Sequence, residues 1–158
     1  MIFVTVGTQL PFDRLVRAVD EWVAANSAIE AFAQIGAGTY RPRHMAWEHR
    51  LAAADFREKL RAVRLVVSHA GVGSLLLALE AQKPMLIMPR RAALQEHRDD
   101  HQLATAKWLQ GRPGITVVED AAALHAALDD GGWREPPPLR DTASPELLAA
   151  IRDFINRS

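Results

Sequence analysis

The sequence contains no cysteine. That excludes a disulfide framework, a thiolate nucleophile and a thiolate-ligated zinc site. It has no excess of either charge: 19 Lys and Arg balance 19 Asp and Glu, so the formal net charge is +0. A non-specific nucleic-acid binder is expected to be basic overall or to carry a dense basic stripe, and neither is present, so no nucleic-acid partner is expected. Long apolar runs are missing as well. The longest, around Leu65–Val67 and Met85–Met88, have the length of strands and fall far short of the roughly 18 residues that cross a bilayer. The start, Met1–Asp13, is apolar for six residues and has neither a basic leader nor a small-residue cleavage site, so no export signal is expected and the default compartment is the cytoplasm.

What is present suits a globular domain. The chain has 158 residues, 49% of them hydrophobic and 24% charged. That is ordinary soluble composition, not that of a disordered tail or low-complexity scaffold. The length corresponds to one domain and suffices for a core without covalent staples.

Short β-branched and apolar runs alternate with helical patterns. Strands are expected at 2–6, 31–35, 45–47, 65–68, 85–88 and 115–118, from apolar runs closed by Gly or Pro. Helices are expected at 12–25, 52–60, 74–81, 99–109, 121–128 and 145–155. The first shows apolar Leu15, Val16, Val19, Trp22 and Val23 at helical spacing, with Pro11 at its start. The last has Ser144 as its expected N-cap. Such alternation predicts an α/β fold: a single Rossmann-like domain with a mostly parallel sheet. Its expected bounds are 1–128, followed by a loop at 129–144 and a C-terminal helix at 145–158.

In an open parallel sheet the ligand lies at the carboxyl ends of the strands. Three such ends carry unusual residues. The most informative is Ser68-His69-Ala70-Gly71-Val72-Gly73-Ser74, which joins a strand to a helix through two glycines. One reading is a diphosphate cradle, in which the backbone approaches the ligand and the helix N-terminus faces the phosphate. The other is a tight turn that needs glycine only for packing. The segment is neither a full dinucleotide fingerprint, since Leu76 stands where a third glycine belongs, nor a P-loop. A second cluster, Glu96-His97-Arg98-Asp99-Asp100-His101-Gln102, allows a metal site on His97 and His101, a charged helix start, or hydrogen bonds to sugar hydroxyls from His101 and Gln102. Without HExxH spacing or a distant third ligand, no metal is expected. Arg90 and Arg91 follow the strand-closing Pro89. They are either phosphate or carboxylate binders or a solvated surface pair. His44, His49 and His125 are read as incidental.

Taken together, residues 68–90 followed by 96–106 resemble the C-terminal, donor-binding half of family 28 glycosyltransferases. Residues 4–20 and 34–42 look like the opening of the same half and its second strand and loop. The resemblance runs from Met1 to about Leu128 and is strongest to small catalytic subunits of split enzymes. It implies a single half of a GT-B fold, and transfer of a sugar from a UDP-sugar to a lipid-linked acceptor with inversion and no bound metal or other cofactor. It also implies a membrane-associated partner subunit that supplies the acceptor site and recruits the chain to the inner face of the membrane. Carried over, Gly7, Thr8, Ser68, His69, Gly71, Gly73 and Ser74 would face the UDP. Arg90, Arg91, His97, His101 and Gln102 would lie toward the donor sugar. The glutamate with which the family holds the ribose, seven residues before the helix-ending proline, is Leu77 here. Glu80, one helical turn on, is the expected substitute. The alternatives are a non-catalytic nucleotide-sugar-binding or regulatory module, an NAD-dependent oxidoreductase domain, and a UDP-sugar 2-epimerase. The apolar face Leu147, Leu148, Ile151, Phe154 and Ile155 of the last helix packs either on its own sheet or on the partner.

Overall fold

The structure is a computed structural model that describes residues 1–138. The expected helix at 145–155 and its docking role lie outside the described residues. Six strands form one sheet: β1 (Ile2–Thr5), β2 (Ala31–Gln34), β3 (Ala46–Glu48), β4 (Leu65–His69), β5 (Met85–Met88) and β6 (Ile115–Val117). Five α-helices alternate with them: α1 (Asp13–Ala25), α2 (Ala53–Ala62), α3 (Val72–Glu80), α4 (His101–Leu109) and α5 (Ala121–Asp130). All five strand pairings are parallel, in the order β3-β2-β1-β4-β5-β6. The expected α/β class and Rossmann-like layout are therefore observed, and the sheet is wholly parallel.

Side chains alternate across each strand and feed two cores. Ile2 and Val4 of β1 pack with Leu15, Val16 and Val19 of α1 and Leu124 of α5 on one face. Phe3 packs with Leu60 of α2, Leu75 and Ala78 of α3, and Leu109 of α4 on the other. Both faces are thus covered by helices. This explains why the strands read as continuous apolar runs rather than as alternating ones.

Four of the five helix starts differ from expectation by one or two residues. α3 opens at Val72, not Ser74, with Gly71 as its extended N-cap. α4 opens at His101, not Asp99, because the two aspartates are used in the turn before it. Asp99 Oδ1 accepts from the His101 amide at 3.1 Å, and Asp100 Oδ1 accepts from the Ala92 amide at 2.9 Å. A 3-10 turn at Ala92–Leu94 has no counterpart in the sequence pattern. α5 continues to Asp130, two residues beyond the expected Leu128, and ends at Gly131 in the left-handed region.

Two acids pin the loops around this frame. Asp20 of α1 is 1% exposed. It accepts from the Tyr40 hydroxyl at 2.8 Å and from the amides of Arg43 and His44 at 2.9 and 2.8 Å. Burial opposes its charge, but these hydrogen bonds win and hold its pKa below the ordinary 3.8. Glu96 meets Arg14 in a two-pronged pair at 2.7 and 2.9 Å and accepts from the Arg91 amide at 3.0 Å. That ties the loop after β5 to α1.

Candidate functional site

The strand order reverses direction between β1 and β4, and the loops after these strands diverge there. The crevice this opens at the carboxyl edge is where open α/β sheets take ligands. A cleft of ≈ 550 Å³ lies there. Its floor is formed by Thr5 and Gln34, the last residues of β1 and β2. Thr5 is in register with both Gln34 and Ser68, and all three are buried. The Thr5 hydroxyl donates to Gln34 Oε1 at 2.6 Å and accepts from the Gly7 amide at 3.2 Å. That folds the Gly7–Leu10 loop back over the sheet.

The opposite wall is the His69–Ser74 segment. Three glycines here answer to different physics. Gly7 has φ +74°, and a Cβ on it would come 2.6 Å from His69 Nε2; a Cβ on Gly71 would overlap the same ring. Both glycines make room for the imidazole. Gly73 is different. A Cβ there would meet nothing within 4 Å, and its φ is not in the left-handed region. Packing does not require glycine at this position, where alanine would favour the helix by up to about 1 kcal/mol. The space beyond it is the cleft. No side chain caps α3 and no acid lies in its first turn, so its leading amides and the positive end of its dipole are open to an anion.

His69 is largely buried between these loops. Burial first, and the adjacent Arg90 charge second, lower its pKa to about 3, so the ring is neutral at physiological pH. Its Nε2 lies 3.5 Å from the Ser74 hydroxyl. Arg90 is 3% exposed. Its guanidinium donates to the carbonyls of Val6 and Leu10 at 2.7 and 2.6 Å. Burial lowers its pKa to about 10, which still leaves it charged at neutral pH. No carboxylate lines the cleft among the described residues. The cleft therefore has the electrostatic character that suits an anion, with a buried cation behind it.

The cleft brings together most of the residues expected from sequence: Gly7 and Thr8 on one side, His69, Gly71, Gly73 and Ser74 on the other, with Arg90, His97 and Gln102 at the end. Four expected residues are not on it. Ser68 lies fully buried beneath the floor and donates to the His69 carbonyl at 3.0 Å. Glu80 is exposed at the far end of α3. Three residues add about 4.5 Å along a helix axis, which carries it away from the strand ends, and Leu77 lines the cleft instead. Arg91 turns outward, donating to the Glu119 carbonyl at 3.2 Å and lying 3.6 Å from its carboxylate. His101 sits outside the cleft beside Asp99, at 3.4 Å. Arg90 and Gln102 are on the cleft but committed within it, since the Gln102 amide bonds the Arg90 amide and His69 Nδ1. Among the described residues no cluster of His, Asp and Glu is arranged for a metal ion, and His97 pairs with Asp99 at 3.0 Å. His49 and His125 bond the carbonyls of Gly36 and Ala18, and His44 lies beside Asp20.

Sequence reasoning missed one whole wall. Leu51, just before α2, and Phe56 and Arg57, inside its first turns, line the cleft, and Gln34 completes the floor. Phe56 is held by an edge contact to Phe3 with ring centroids 5.1 Å apart. No local signal marks these residues, because their neighbours across the cleft are distant in sequence.

Comparison with known proteins agrees with this fold. The family model for the glycosyltransferase family 28 C-terminal domain matches residues 1–130. The UDP-N-acetylglucosamine transferase subunit ALG13 of Homo sapiens is 31% identical over 118 residues, which is 68% of this chain and 10% of that protein. The Mus musculus counterpart is 32% identical over 110 residues, 61% of this chain and 9% of that protein. The chain thus spans only about a tenth of the length of these curated relatives. Among solved structures, the NMR structure of ALG13 superimposes with a TM-score of 0.63 at 17% identity, over 94% of this chain and 93% of that one. The glycotransferase of kitacinnamycin gives 0.62 at 18%, over 99% of this chain and 39% of that one. The likeness to part of larger glycosyltransferases is a likeness of fold: one half of a GT-B architecture. A wholly parallel doubly wound sheet, a glycine-rich loop at its switch point and a family match along most of its length establish that this chain belongs to the glycosyltransferase family 28 C-terminal domain family.

Proposed function

We propose that this chain is the donor-binding catalytic subunit of a two-chain inverting glycosyltransferase. It would move a sugar from a UDP-sugar to a lipid-linked acceptor in bacterial polysaccharide synthesis. The observation that carries the nucleotide half of this reading is Gly73. It is a helix-breaking residue retained where no protein atom forbids a side chain, at an uncapped helix start that opens on the cleft. A ligand that approaches the backbone there explains the glycine, and a diphosphate matches the open amides. The relatives' names make UDP-N-acetylglucosamine the first donor to try.

In this mechanism an acceptor hydroxyl attacks the anomeric carbon on the face opposite UDP. The carbon–oxygen bond to the β-phosphate breaks as the new one forms, and the hydroxyl proton passes to a base on the partner. Negative charge grows on the departing UDP. The α3 dipole, the His69 ring and the buried Arg90 charge would be aimed at that charge beforehand. With no carboxylate on the cleft wall among the described residues to hold a divalent ion, this charge stabilisation would do without a bound metal or other cofactor. The membrane-associated partner would bring the acceptor and hold the chain, otherwise cytoplasmic, at the inner face of the membrane. Among the described residues no helix is long and apolar enough to cross a membrane.

A second reading, a non-catalytic nucleotide-sugar-binding module, draws on Leu77. The family's ribose-holding position is apolar, and Glu80 does not reach the cleft to replace it. One experiment separates the two. The chain is reconstituted with its membrane-associated partner, and UDP release from UDP-N-acetylglucosamine and related UDP-sugars is followed with and without EDTA. We expect turnover only with both chains present and no loss in EDTA. UDP binding without turnover would select the binding module. Strict dependence on a divalent ion would remove the metal-free mechanism.

A further inference from the structure

We propose that Gln102 and Arg90 are positioning residues that lock His69 in one tautomer, with Nδ1 bare and the Nε2–H held out into the cleft as a neutral donor for a phosphate oxygen. The phosphate clause rests on the nucleotide reading above; the lock itself rests on geometry alone. This assigns Gln102 a different role from direct contact with the donor sugar.

The argument is a chain of donors and acceptors with no free choice in it. The backbone N–H of Arg90 can only donate, and it lies 3.1 Å from Gln102 Oε1. That settles which end of the amide is oxygen, so Gln102 Nε2 can only donate. It lies 3.2 Å from His69 Nδ1. A second obligate donor, Arg90 Nη1, lies 3.3 Å from the same nitrogen. Two donors converge on Nδ1, so Nδ1 is an acceptor and carries no proton. A neutral imidazole must then carry its proton on Nε2. That nitrogen is the one between Gly7 and Ser74, 2.6 Å from where a Cβ on Gly7 would stand. A second protonation of the ring would require a hydrogen on Nδ1, directed at a guanidinium and an amide NH₂. Burial and the Arg90 charge independently keep the ring neutral, with a pKa of about 3.

The arrangement has a chemical consequence. Arg90 is buried, and among the described residues no carboxylate forms an ion pair with it. Its charge sits directly behind the imidazole and polarises it, which strengthens the opposite N–H as a donor. Both Gln102 and Arg90 enter from the loop and helix that follow β5. The stretch from 90 to 102 therefore controls the histidine that ends β4.

The test reads the ring directly. The full chain is labelled with ¹⁵N-histidine, and His69 is followed through its two-bond ¹H–¹⁵N pattern at neutral pH. We expect a bare Nδ1 and a protonated Nε2 in the wild type, with the Nε2–H resonance moving when UDP is added. In Gln102→Glu, a carboxylate can still accept from the Arg90 amide but must accept from Nδ1 too, so Nδ1 should gain a proton. A purely structural role for Gln102 would leave the His69 pattern unchanged in that variant. In Gln102→Met, which keeps the bulk and removes the donor, UDP should bind about threefold to tenfold more weakly while uridine binds as before, the loss expected for one weakened hydrogen bond. Wild-type His69 with a protonated Nδ1 would overturn the proposal. So would equal losses for UDP and uridine, or a loss seen only with the UDP-sugar and not with UDP. If the wild type binds neither UDP nor uridine, the nucleotide reading and the phosphate clause fall, and the spectra still decide whether the lock exists.

Discussion

Gly73→Ala should make the protein more stable and a poorer nucleotide binder at the same time. The residue lies in the first turn of α3, and a Cβ built on it has no atom within 4 Å. Adding a methyl group therefore causes no clash and restricts the unfolded chain. The gain is about 0.5–1 kcal/mol, which for a chain of this size raises Tm by about 1–4 °C. The same methyl points into the cleft where the proposed diphosphate approaches the amides. Pushing the anion outward lengthens hydrogen bonds to a charged group, each worth about 1.5–3 kcal/mol, so UDP affinity should fall by about tenfold to a hundredfold. Gly111→Ala is the control. It too has open space around the added Cβ, but its φ is +78°. A side chain held there costs about 1–2 kcal/mol, so this variant should lose stability and keep UDP affinity. Thermal unfolding and calorimetric UDP titration of the two variants together give the answer. Unchanged UDP affinity in a stabilised Gly73→Ala protein would refute the argument that a ligand, not packing, keeps the glycine there.

Asp20→Asn replaces a carboxylate that accepts three hydrogen bonds with an amide that must turn an NH₂ toward some of those donors; denaturant unfolding should show a loss of about 1–3 kcal/mol at neutral pH. Because the folded pKa of Asp20 lies below 3.8, its contribution is present above that value and lost as pH falls through the folded pKa, so the variant should show a flatter acid limb, and an identical acid limb would count against the assignment. Leu77→Glu places a carboxylate at the cleft position that the resemblance assigns to the ribose; uridine affinity should rise severalfold, and no gain would mean that the nucleotide sits differently here.

The sequence alone determined the class of fold and the strand end at which the candidate cleft lies. Apolar runs of four or five residues closed by glycine or proline, alternating with helical periods, leave few arrangements other than a parallel sheet covered on both faces. The strand-to-helix segment from Ser68 to Ser74 marks the switch point because its unusual composition is local. What the sequence did not determine was which polar residue does what. Arg90 and Arg91 are adjacent and chemically alike, yet one is buried as a clamp on Val6 and Leu10 and the other turns out to Glu119. His101 and Gln102 are adjacent too, and only Gln102 faces the cleft. Successive residues leave a helix or loop about 100° or more apart, so the path of the backbone decides between them. That path is set by distant anchors such as Arg14 on Glu96, 82 residues apart in the chain. The α2 wall and the polar floor of Thr5 and Gln34 likewise exist only once β1, β2 and β4 are in register. Local pattern reports burial and period, whereas the partner of a buried polar group is set by the tertiary structure.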